Sequence, residues 1–403
     1  MIRCTALRAF AFVLIAGIVF VAGCRKDATP PAAAPAHKPT VELLGEKQIK
    51  KELLNARATT IDGIDPNSLW ALLVSTVVNV YKVTYPTTDP DGVPVDASGL
   101  LVIPKDRESV SLISFQNGTV FDPKQAASFF NPDGPLHYWI PVAAALGSAV
   151  IVPDYLGYGN TANIPHPYQH AASLARTSAD MIIAVKQWLE EQHIQWDKKL
   201  FLAGYSEGGY ATMALHRLLQ EQYATQLPVT AASYGAGAYD ITSTARYFLE
   251  RDEDRDSFYI RSHIWVLTSF NRIYHLNRPL NTFLKAPYDV EVATRPISQA
   301  VLPLNPAQLL NPVFKANVLN GNDTQLLNIL SQNDIYDWKP LSPVLLIHSD
   351  ADRNVPIFNS DRAYAGFKSK GVDAEYLIIP GKSHQDAIPD FALNSLLYFA
   401  RYQ

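Results

Sequence analysis

Cysteine is nearly absent: the 403-residue chain has two, Cys4 and Cys24. A disulfide-stapled scaffold is therefore excluded, and a large hydrophobic core must hold the fold. Charge of one sign is also scarce. A formal net charge of −4 with 18% charged residues leaves no basic surface for nucleic acid and no strong field for an acidic partner. Neither an H-E-x-x-H helix nor a glycine-rich nucleotide fingerprint occurs, so no cofactor is implied. There is no internal repeat. The one long apolar run, residues 9–22, is too short for a comfortable membrane-spanning helix. What the chain does have is 48% hydrophobic residues, an ordinary share for a globular protein. Aromatic residues at 11% leave room for an apolar binding site. The length exceeds what one compact domain needs and predicts a core with an insertion.

The apolar run has the length of a signal-peptide core, and Arg3 and Arg8 precede it. It ends in Val21-Ala22-Gly23-Cys24, which resembles a bacterial lipobox, where cleavage falls before a lipidated cysteine. Residues 1–24 are thus expected to form a lipoprotein-type signal ending at Cys24, the lipidation site and membrane attachment. Arg25 stands where Asp would resemble an inner-membrane retention signal, so outer-membrane or surface placement is expected. The Pro/Ala-rich residues 25–40 read as a tether. With Cys4 removed, no intrachain disulfide remains possible.

Residues 41–58 read as a short amphipathic helix. Apolar or β-branched runs at 77–85, 99–103, 111–115, 149–153, 200–203, 229–234, 343–348 and 375–379 predict about eight strands. Residues 88–92, Thr-Asp-Pro-Asp-Gly, supply turn chemistry. Helical patterns at 171–192, 207–222, 359–370 and 390–401 alternate with the later strands. Continuously apolar strands separated by helices predict a mostly parallel sheet covered on both faces. Residues 239–338 break this alternation with mixed helical signals, proline breaks and many aromatics. A structureless loop of that length is improbable, so they are expected to form a cap inserted into a core made of 41–238 and 339–403.

Gly204-Tyr205-Ser206-Glu207-Gly208-Gly209 fits G-x-S-x-G. The pattern alone is permissive, but a strand precedes it and a helix follows. Such a turn forces strained backbone angles on the serine and exposes its hydroxyl near the positive end of the helix. Serine needs a base, and the base needs an orienting acid. His348-Ser349-Asp350-Ala351-Asp352-Arg353-Asn354-Val355-Pro356 resembles the H-G-x-x-D-x-x-V-P segment of α/β-hydrolases, with Ser349 in place of Gly. Matching residue by residue puts the acid at Asp352, with Asp350 as competitor. His384 lies beyond the last strand and before the final helix, where a loop can bring it over Ser206; His348 is its rival and fits a structural place at the strand end. The oxyanion hole is expected to use the N–H of Glu207 and a second from Phe115-Gln116-Asn117-Gly118-Thr119, with Thr119 preferred over Gly118. That loop resembles the H-G-T loop of related esterases, with Asn117 where His is common.

With these pieces in place the chain resembles the secretory lipase family and related bacterial esterases of the α/β-hydrolase fold. Pro153-Asp154-Tyr155-Leu156-Gly157-Tyr158-Gly159, His166-Pro167-Tyr168, the Ser206 string and Asn333-Asp334-Ile335-Tyr336-Asp337-Trp338-Lys339-Pro340 carry the likeness. The resemblance implies hydrolysis of a carboxylic ester, a small-molecule or lipid substrate, through an acyl-enzyme, with a cap over the acyl site. A serine peptidase or transacylase on the same fold is the enzymatic alternative, and Glu250 to Asp256 would be its charged subsite. A non-catalytic surface binding lipoprotein is the alternative of another class. His166 and His170 could be read as a metal pair, but without Cys or carboxylate partners they fit a substrate-side loop or a structural role better.

Overall fold

The computed structural model describes residues 37–48, 76–130 and 135–403. The expected signal, Cys24 and most of the tether lie outside them. Among the described residues one nine-stranded sheet organises the chain, in the order β1-β2-β3-β5-β4-β6-β7-β8-β9. The strands are β1 (Thr40–Gln48), β2 (Val77–Thr88), β3 (Pro94–Pro104), β4 (Ser109–Gln116), β5 (Ser148–Pro153), β6 (Gln195–Tyr205), β7 (Ala231–Gly235), β8 (Val344–Ser349) and β9 (Ala374–Ile379). The first three form an antiparallel meander, and β3 pairs antiparallel with β5. From β5 to β9 every pairing is parallel.

The sheet follows from the strand patterns. Leu200, Leu202, Tyr234 and Leu346 face one apolar cluster, while Phe201, Ala203, Leu345 and Ile347 face the other. Both faces are covered, so the parallel strands read as unbroken apolar runs. The first face carries α2 (Ala171–Glu191), α3 (Glu207–Gln222) and α10 (Phe358–Ser369); the second carries α1 (Pro135–Ala145) and α11 (Ile388–Ala400). Between β7 and β8 the chain forms α4 (Ile241–Glu250), α5 (Ser257–Ile273), α6 (Tyr288–Thr294), α7 (Pro306–Leu309), α8 (Pro312–Leu319) and α9 (Thr324–Gln332). Asp240, Asp256, Asn305, Asn311 and Asp323 each cap one of these helices by accepting a backbone N–H.

Two elements depart from the sequence reading. Residues 40–48 form a strand, not the start of a helix; 49–58 lie outside the described residues. Their mix of Val, Leu and charged residues suits either structure, and the free edge of β2 supplies the deciding backbone partners. A register shift between Leu43 and Gly45 interrupts this edge pairing, a common device at sheet edges. This strand raises the count from eight to nine. Helix α1 was not expected, because Pro141 sits inside it.

Candidate active site

The parallel strands bring their C-terminal ends to one rim of the sheet. Ser206 follows β6 at once, with φ 62° and ψ −124°, and α3 starts at the next residue. A non-glycine residue is rarely held at such angles, and strain of this kind clusters at functional sites. The turn closes because Ser206 N–H donates to the Gly235 carbonyl at 2.9 Å. It also needs small neighbours. A Cβ on Gly208 would fall 2.0 Å from the Gln116 carbonyl oxygen, and one on Gly209 would fall 2.1 Å from that of Gly235.

The hydroxyl of Ser206 lies 2.8 Å from His384 Nε2, and His384 Nδ1 lies 2.5 Å from Asp352 Oδ2. The imidazole can thus accept the serine proton at Nε2 while donating from Nδ1 to the carboxylate. The loop carrying His384 follows β9 and is held from three sides. Tyr205 donates its hydroxyl to the His384 carbonyl at 2.8 Å, Ser349 donates to the Lys382 carbonyl at 2.6 Å, and Asp350 accepts the Gly381 N–H at 2.6 Å. Ser349, the departure from the usual glycine, therefore anchors the His384 loop. Asp350 has that anchoring contact, whereas Asp352 has the histidine.

The side chain of Asp352 is fully buried. Its Oδ1 accepts the N–H groups of Asn354 and Val355 at 2.8 and 2.9 Å. Its Oδ2 meets a second imidazole, with His348 Nε2 3.2 Å away. That nitrogen also lies 3.0 Å from the Val355 carbonyl, which can only accept, so Nε2 carries the proton and is shared between the two oxygens. Nδ1 of His348 then accepts from Ser360 at 2.8 Å. Burial works against the Asp352 charge, but the hydrogen bonds from His348 and His384 outweigh it and hold the carboxyl well below the usual range. The sequence reading saw His348 as a rival base. Its spacing of four from Asp352 was the available signal for a second donor.

The loop after β4 packs beside the serine. A Cβ on Gly118 would lie 3.2 Å from the Tyr205 carbonyl and 3.7 Å from Ser206 Cβ. Thr119 Oγ1 bonds with the Tyr168 hydroxyl at 2.8 Å, and the Asn117 carbonyl accepts from Tyr155 at 3.1 Å. Glu207, at the first position of α3, is buried, and its Oε1 lies 2.7 Å from His166 Nε2. His166 and His170 do not share a site: His170 Nδ1 bonds with Ser173, and its ring stands edge-on to Tyr274.

From Ser206 an apolar pocket, part of it open to solvent, runs into the helices between β7 and β8. Phe248, Phe258, Val266, Leu267, Phe270 and Phe314 are among its walls, and among the described residues no charged side chain lines it. His263 also lines it. Burial brings this imidazole down to about 4, against the opposing bond from its own ring to the Tyr259 carbonyl, so it is neutral near pH 7.

Residues 137–386 match the secretory lipase family. No curated protein matches this chain. Among solved structures, one described as a hydrolase from Legionella pneumophila is 26% identical with a TM-score of 0.78, covering 90% of this chain and 97% of that one. The rice cell wall degrading esterase LipA from Xanthomonas oryzae is 20% identical with a TM-score of 0.76, covering 90% and 98%. Candida antarctica lipase A is 18% identical with a TM-score of 0.59, covering 85% and 77%. The sheet order and flanking helices are those of the α/β-hydrolase fold that these structures share.

Proposed function

The chain belongs to the secretory lipase family and is a carboxylic ester hydrolase, and from that premise we propose that it works through an acyl-enzyme on Ser206, with apolar acyl groups held in the pocket above it. The observation that carries this reading is the Ser206–His384–Asp352 relay opening directly into a mostly apolar pocket. His384, oriented by Asp352, takes the Ser206 proton as the oxygen attacks the ester carbonyl. The oxyanion is met by the N–H of Glu207 and by one from the Gly118–Thr119 segment, with Thr119 preferred. The alcohol leaves with the proton from His384, which then activates the water that releases the acid. The helices between β7 and β8 act as the cap, and acyl preference is set there.

The peptidase alternative finds no support in the charged stretch it would use. Asp252 is paired with Lys315, Glu253 with Arg255, and Asp256 caps α5. The family supports export, and a lipid on Cys24 is the proposed anchor. On purified protein, Ser206→Ala should abolish both turnover of p-nitrophenyl butyrate and labelling by a fluorophosphonate, and an aminoacyl-anilide should remain uncut. A labelled, active alanine variant would sink the reading.

A further inference from the structure

The chemistry above uses the backbone of Glu207 and leaves its side chain unexplained. A carboxyl directly after the nucleophile is an awkward group to bury. If charged and unpaired, it would oppose the negative charge that develops on the substrate oxygen, in a medium where charges interact strongly. Here it is sealed with His166, the two side chains being 1% and 2% exposed. His166 Nδ1 lies 2.7 Å from the Leu156 carbonyl. That oxygen can only accept, so Nδ1 carries a proton. The 2.7 Å contact between Nε2 and Glu207 Oε1 then needs one proton between them. Wherever that proton rests, the pair has no net charge.

The ring is fixed as well as paired. Tyr158, Trp265, Tyr155 and Tyr168 surround it at centroid distances of 4.8, 5.4, 5.9 and 5.9 Å. Its backbone carbonyl accepts from Arg272 at 3.2 Å and from Ser269 at 3.4 Å, both on α5. We propose that His166 is a positioning residue for hydrolysis: it shares one proton with Glu207, cancels that side chain's charge beside the oxyanion, and fixes the first residue of α3, whose N–H meets the oxyanion. This rests on the reading of Ser206 as nucleophile and Glu207 N–H as oxyanion donor.

The test is steady-state kinetics on p-nitrophenyl butyrate with His166→Leu, the double variant His166→Leu/Glu207→Gln, and Ser206→Ala as control. Leucine strands the carboxyl without a partner, an arrangement known to be costly. We expect kcat to fall by roughly ten-fold or more while KM stays within about threefold, because the interaction matters when the oxyanion forms. Removing the carboxyl charge in the double variant should restore part of the lost kcat. A single variant within twofold of wild type, or a double variant no faster than the single, overturns the proposal; the second result is what mere packing would give. If the leucine variant fails to fold by circular dichroism, His166→Gln takes its place in both comparisons. An inactive Ser206→Ala beside an unaffected His166→Leu removes only this inference, whereas an active Ser206→Ala removes the reading beneath it.

Discussion

Two imidazoles converge on one oxygen of Asp352, and only one of them faces the serine. His384 makes the relay; His348 helps keep the acid ionised in a buried place. The depressed native carboxyl stabilises the fold fully above the unfolded-state value, and that contribution is lost as pH falls toward the native value. His348→Leu removes a donor and raises the carboxyl toward its ordinary range. The gap in unfolding free energy between wild type and this variant, measured by urea titration, should be smaller at about pH 3 than at about pH 5, because the variant's carboxyl takes up its proton in that range while the wild type's does not. A gap that does not change with pH would refute this role. At this scale the sequence was informative because Ser, Asp and His come in the order the fold demands. Motif matching preferred Asp352 to Asp350, and the contacts give the physical difference between them: Asp352 meets His384, whereas Asp350 accepts the Gly381 N–H. The sequence could not show the His166–Glu207 pair, since 41 residues separate the partners.

The strand–turn–helix element around Ser206 depends on close backbone approach more than on side chains. Gly208→Ala would drive a methyl into the Gln116 carbonyl, which is backbone at the end of β4 and cannot swing away. The expected result is a loss of roughly 2 kcal/mol or more in stability, or a displaced elbow with lost activity; thermal melting and fluorophosphonate labelling report the two separately. Wild-type melting with full labelling would disprove the packing argument. Central strands were legible because both faces are buried, which makes their residues uniformly apolar. β1 was not, because an edge strand carries charges and its identity is decided by β2. α1 was hidden by Pro141, a residue that normally argues against a helix interior. Helix α5 joins two tasks: Val266 and Leu267 line the pocket while Arg272 and Ser269 hold the His166 loop.

Across the whole molecule, the proposed reactivity and selectivity fall in different parts of the chain. The sheet rim holds the relay, and the helices between β7 and β8 hold the pocket. Filling that pocket with Val266→Trp should therefore shift preference from long to short acyl esters by roughly ten-fold or more while the rate on an acetate ester stays within about threefold. A chain-length series on p-nitrophenyl esters checks this, and an unchanged profile would place acyl recognition elsewhere. The amino-acid pattern disclosed that something interrupts the alternation of strands and helices, but not the cavity, because a cavity belongs to the packing of several helices and to none of their sequences. The relay also spans a long stretch of chain: Ser206 and His384 are 178 residues apart. Chains are made from the N-terminus, and domains fold as units. Until those residues have followed it, the serine has no imidazole beside it. A nascent chain that has emerged only as far as Ser206 therefore carries the proposed nucleophile without the base proposed to activate it.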